Sequence, residues 1–175
     1  MENTYAGESP MKKVARAEFY KRFKVWAGLA IPPEQLQAST MATLAGPEAC
    51  EVPIFRDFLR WPAHRSVFID VDAAACRRAE ERWPDVGTFH GRAEEFLQTM
   101  VDGAAYYDAH PSEDPMPGAR LRLSLLHLDL TGHMNRGVFD LFEQYVPAIL
   151  TEGGVACVTH MRGRERFDSK DWQIV

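Results

Sequence analysis

The chain has 175 residues, 46% hydrophobic and 26% charged, and its 20 Lys and Arg against 25 Asp and Glu leave a formal net charge of −5. At about 100–200 residues per domain this is one domain of ordinary globular composition, which argues against a disordered, collagen-like or membrane-embedded chain. The acidic balance gives no bulk attraction to nucleic acid, and Cys50, Cys76 and Cys157, lacking any CxxC pair, argue against a disulfide framework or a thiolate zinc site.

The opening residues, MENTYAGESP, are polar and lack the apolar core of a secretory signal, and no run approaches the roughly 20 apolar residues of a membrane span. A reducing cytoplasm is the expected compartment. Over 11–30, Met11, Ala15, Phe19, Phe23 and Trp26 recur every three to four positions, the spacing of one apolar stripe on an amphipathic helix. Lys12, Lys13, Arg16, Lys21, Arg22 and Lys24 occupy the other faces, so this helix is basic within an acidic chain. Its charges are expected to be solvated; the alternative is contact with nucleic acid through Lys12, Lys13 and Arg16.

Pro32-Pro33 closes that helix, and the chain then alternates short apolar runs with helical spacing. The reading is a strand over 41–45, a helix around Ile54, Phe55, Phe58 and Leu59, a strand over 66–70, a helix over 73–83 and a strand over 86–90. Ala93, Phe96, Leu97, Met100 and Val101 predict a further helix, and 102–118, with its prolines, glycines and acids, predicts a long loop that overhangs a site. RLRLSLLHLDL over 120–130 is the most apolar strand and is expected to be central. A helix around Val138, Leu141, Phe142 and Tyr145 follows, ended or bent by Pro147, and Gly153-Gly154 turns into a fifth strand over 155–159.

This alternation predicts a three-layer α/β/α protein: about five strands in a mainly parallel, doubly wound sheet, with an extra N-terminal helix. The expected organisation is a tail and basic helix over 1–38, the α/β body over 39–160 and a charged segment over 161–175, all one domain. Ligands of such sheets bind beyond the carboxyl ends of the strands, so the ends of the first, second and fourth are where chemistry is expected.

The first strand runs into TLAGPEACE. Its single Gly46 meets neither GxGxxG nor GxxxxGK[ST], which weighs against hydride transfer and nucleotide hydrolysis. Glu48 and Glu51 would repel a pyrophosphate and suit an ammonium or sulfonium ligand better. Asp70, ending the second strand, can accept bonds from a ribose diol, and Asp72 is expected to cap the next helix. His127, Asp129 and His133 form the single cluster with metal-ligand spacing, although His127 reads more simply as a buried histidine. No GxSxG elbow is present. Arg162, Arg164 and Arg166 are either a solvated loop or a phosphate grip.

Together TLAGPEACE, VFIDVD, FHGRAEEF, LHLDLTG and ILTEGGVACVTH resemble, over about 41–160, the Rossmann-like S-adenosylmethionine-dependent methyltransferases. The resemblance implies that Ala45, Gly46 and Glu48 border the methionine part of the cofactor, Asp70 the ribose, Arg92 and Ala93 the adenine, and Asp129 the methyl-transfer end. No metal is expected, since His127 and His133 read as a buried histidine and a loop residue. The first motif has neither the family's second and third glycines nor its usual acid, Thr43 standing there, and Arg92 replaces an acid. Family members also continue past the fifth strand, so the sheet edge is expected to be minimal or to be completed by a longer chain or another copy. The expected function is therefore cofactor binding and methyl transfer to an unspecified acceptor; the alternative is an inactive Rossmann-like module that binds or assembles through its basic helix or open sheet edge.

Overall fold

The computed structural model describes residues 10–44, 51–61, 65–109, 122–130 and 136–160. In chain order these are α1 (Pro10–Ala30), α2 (Pro33–Ala38), β1 (Thr40–Leu44), the helical turn α3 (Glu51–Pro53) running into a π-helix (Ile54–Leu59), β2 (Ser66–Asp70), α4 (Ala73–Arg82), β3 (Gly87–His90), α5 (Ala93–Ala109), β4 (Leu123–Leu130), α6 (Arg136–Ile149) and β5 (Leu150–His160).

The strands form one sheet in the order β3-β2-β1-β4-β5, every pair parallel. A parallel pair needs a crossover, and the crossovers bury both faces of the sheet. On one face Met41, Phe68 and Leu125 pack beneath Tyr20, Phe23 and Ala27 of α1, Phe55 of the π-helix and Ala79 of α4. On the other, Ala42, Ile69, Leu126 and Leu128 pack against Phe96, Leu97 and Met100 of α5 and Val146 and Ile149 of α6. This is the Rossmann-like three-layer arrangement expected from the sequence. LSLLHLDL is buried from Leu123 to Leu128 because β4 lies inside the sheet, although β1 holds the middle. At about 1.5–3 kcal/mol for each fully buried large apolar side chain, this strand alone contributes strongly to the core.

Four boundaries differ from expectation. The buried stripe of α1 runs through Tyr20, Phe23 and Ala27, with Phe19 at its margin, whereas Trp26 is half exposed and donates Nε1–H to the carbonyl of Gly153 at 2.8 Å. Helix α5 continues to Ala109, so the first part of the expected loop is helical; Gly103 costs about 1 kcal/mol relative to Ala in a helix, too little to end a docked one. Helix α6 includes Pro147, near its end. There the ring forgoes only the bond to the carbonyl of Glu143, an exposed residue where water can replace it. Finally, the glycine pair lies within β5: Leu123 pairs with Leu150 and Leu125 with Val155, so the strand bulges between. Gly153 has φ +73°, and a Cβ there would run into the backbone carbonyl of Ala30, which is why glycine stands where α1 ends against β5.

Candidate functional site

Because all five strands are parallel, Leu44, Asp70, His90, Leu130 and His160 close them on one edge. The winding direction reverses at β1, which has β2 on one side and β4 on the other. Leu44 pairs with Ile69, and Thr43 with His127. One step beyond Leu44, the register therefore brings Asp70 and residue 129 to the same height on either side of the β1 end. At about 4.8 Å per strand, β2 and β4 run about 10 Å apart with β1 between them.

The Asp70 side is held tightly. Its Oδ1 accepts the backbone N–H of Asp72 at 2.9 Å, and its carbonyl accepts that of Gly91 at 3.0 Å. Asp72 caps α4 as expected, its Oδ1 accepting from the Ala74 N–H at 2.8 Å, and Arg78 pairs with its other oxygen at 3.6 Å. Across the β2–β3 register Asp70 stands beside His90, and a Cβ at Gly91 would lie 2.7 Å from the Phe89 ring and 2.8 Å from the Glu95 carboxylate, so those side chains would have to shift. Arg92 precedes α5 with the Glu half of a capping box: its N–H donates to Glu95 Oε2 at 2.8 Å, while its carbonyl accepts the first helical bond, from Phe96, at 3.0 Å. The Arg92 side chain is exposed and Ala93 is half-buried. Asp70, His90, Arg92 and Ala93 thus occupy one corner of the edge.

Beneath the β1 end the sheet is unexpectedly polar. Thr43 is fully buried and its Oγ1 has no hydrogen-bond partner among the described residues. Beside it in register lies His127, 4% exposed, whose Nδ1 meets the Tyr20 hydroxyl at 3.1 Å and whose ring packs against Phe19. Cys157 continues the row on β5. The sequence marks His127 as a buried histidine and Thr43 only as standing where the family has an acid, and it gives Tyr20 no role. Tyr20 carried a usable signal, since 20, 23 and 27 share helical spacing.

Neither described cysteine is activated. Burial pushes the Cys76 thiol up, helped by the negative charges of Asp70 and Glu80, and burial alone raises Cys157. Cys76 instead points Sγ toward the carbonyls of Asp70 and Phe89, at 3.7 and 3.8 Å. Glu94 and Glu95 are exposed, with Glu95 also serving the cap. Glu80, also exposed, accepts from the Thr88 hydroxyl.

Among the expected site residues, Asp70, Arg92 and Ala93 come together. Ala45, Gly46 and Glu48 lie outside the described residues, as do His133 and Arg162, Arg164 and Arg166. Asp129 is placed by its backbone, opposite Thr159. Arg16 is part-buried on α1, while the side chains of Lys12 and Lys13 are not among those described. Among the described residues no group of three His, Cys, Asp or Glu is placed to hold a metal, and no helix is long and apolar enough to cross a membrane. No family model, curated protein or solved structure matches the chain.

Proposed function

We propose that the chain binds S-adenosylmethionine across the carboxyl edge of its sheet and presents the methyl group to an acceptor beside Asp129. The observation that carries this reading is the placement of Asp70 and residue 129 at one height on either side of the β1 end, at the reversal point where doubly wound sheets bind ligands.

The residues of the Asp70 corner fit such a ligand. A carboxylate offers about four acceptor sites. The bond from Asp72 N–H uses one and fixes the group at the rim, leaving capacity for a vicinal diol. The small Ala93 and the part-buried Phe89, both backed by the buried Phe96, provide an apolar surface suited to a flat base, and the exposed Arg92 can cover it. A carboxylate-rimmed edge also favours a sulfonium over a pyrophosphate.

The bound cofactor supplies a methyl group already activated for displacement. What remains for the chain is placement, which can be worth roughly 7–11 kcal/mol of a barrier. In this reading Asp129 orients the acceptor nucleophile or takes its proton, and the buried Tyr20–His127 contact keeps the β4 end rigid beneath it.

Native mass spectrometry of the protein as purified, and again after incubation with millimolar S-adenosylmethionine, tests the reading. The expected spectrum carries the mass of the cofactor or of S-adenosylhomocysteine. Unliganded protein in both spectra would overturn it.

A further inference from the structure

Helix α1 is apolar on two faces. Tyr20, Phe23 and Ala27 are buried against the sheet, yet Val14, Val25, Trp26 and Leu29 are 70, 62, 51 and 82% exposed. With Glu18, Lys21 and Arg22, three of these line a shallow outward groove of about 400 Å³. Scattered exposed apolar residues mean little, but a run along one helix marks a docking surface.

The pattern of that face names its occupant. Positions 11, 15, 18, 22, 25 and 29 alternate spacings of four and three, the a/d repeat of a two-helix seam, and hold Met11, Ala15, Glu18, Arg22, Val25 and Leu29. At about 100° per residue this seam lies roughly opposite the buried stripe. Both ends are apolar and the middle is a pair of opposite charges, which in one copy bond each other at 3.2 Å as an exposed pair.

A second α1 laid antiparallel, in the register that sets Glu18 against Arg22, also sets Val25 against Ala15 and Leu29 against Met11. The seam positions then pair opposite charges in the middle and apolar residue types at the ends, and the relation is its own inverse, as a two-fold axis requires. A parallel pair would face Glu18 with Glu18 and Arg22 with Arg22. Sliding the antiparallel pair by three residues would bring Lys21 against Arg22 at the axis. Like charges in those positions oppose both arrangements.

We propose that this face of α1 is a homodimer surface, an antiparallel helix pair in which Glu18 of each copy meets Arg22 of the other. One helix of 21 residues spans about 32 Å. Such a pair makes a contact at the small end of specific interfaces, so the dimer is expected to be reversible rather than permanent.

Sedimentation of the 175-residue chain across a concentration series provides the test, with circular dichroism melts confirming that each variant stays folded. Wild type is expected to move from monomer to dimer, and Leu29→Asp to remain monomeric with an unchanged melt. Glu18→Arg and Arg22→Glu are each expected to weaken self-association about tenfold or more by placing like charges across the axis, and an equimolar mixture of the two to restore it as a heterodimer. The proposal is overturned if wild type stays monomeric at several hundred micromolar, even if α1 then captures an acidic amphipathic helix instead. It is equally overturned if Leu29→Asp still dimerises, which would move the contact to the β5 edge, or if mixing the swapped variants restores nothing.

Discussion

The Tyr20 hydroxyl and His127 Nδ1, 107 residues apart in sequence, meet at 3.1 Å with both side chains buried. This contact fastens α1 to β4 directly below the strand end where Asp129 stands, so the N-terminal helix belongs to the site's foundation rather than to an appendage.

Tyr20→Phe keeps the ring contacts with Phe19, Phe55 and His127 and removes only the hydroxyl. Losing this buried hydrogen bond costs about 0.5–1.5 kcal/mol. Tyr20→Ala is expected to cost more, about 3–5 kcal/mol, because a cavity is added. Urea unfolding of both variants checks the order.

Gly153→Ala and Gly28→Ala are expected to move stability in opposite directions. At Gly153 a side chain meets the Ala30 carbonyl and φ is +73°, so the change costs about 1–3 kcal/mol. Nothing lies within 4 Å of a Cβ at Gly28, near the end of α1, and alanine there gains up to about 1 kcal/mol of helix propensity. Melting curves of the pair decide this, and a stabilised Gly153→Ala would contradict the packing of α1 against the β5 bulge.

The cysteines set an alkaline limit. Folding raises the Cys76 and Cys157 thiols above the ordinary value of 9.0, so the folded state holds these protons longer than the unfolded state does. Their stabilising effect is complete below pH 9 and is lost as pH climbs through the raised folded values. Stability should therefore fall from about pH 9 upward, less steeply in Cys76→Ala relative to its own neutral-pH value. Unfolding titrations at a series of pH values measure both slopes.

Asp70 and Asp72 separate ligand binding from helix capping. Asp72→Ala removes the N-cap of α4 and should cost about 1 kcal/mol of stability with ligand affinity nearly kept. Asp129→Asn should do the reverse of a structural change: S-adenosylhomocysteine binds as before, while methyl transfer falls in kcat, the mark of an interaction made in the transition state. Parallel melts, binding isotherms and turnover measurements distinguish the three positions.

The sheet was readable because its signals are local. VFID and LSLLHLDL are continuous apolar runs bounded by charge and turn residues, and Asp72 precedes a helix with free N–H groups to cap. What escaped was decided by tertiary contact. Which side of α1 faces inward depends on where β4 offers His127 to Tyr20, and α1 carries apolar residues on both sides, so periodicity alone chose the intermediate stripe through Trp26. The glycine pair read as a turn because its reason for being glycine, the Ala30 carbonyl, lies 123 positions away in the sequence. That Asp70 closes the second strand was legible from the acid at the end of VFID. Its height relative to residue 129 follows only from the register.

The most direct test of the central claim is calorimetric titration of S-adenosylhomocysteine into wild type and Asp70→Ala. Wild type is expected to bind at one site and, with ligand at about 100-fold over Kd, to gain about 2.7 kcal/mol of stability. Asp70→Ala, folded and lacking a charged hydrogen-bond acceptor worth about 1.5–3 kcal/mol, should bind about 10- to 100-fold more weakly. Absence of heat and of any melting shift for wild type at millimolar ligand, or equal affinity in the two proteins, would contradict the account.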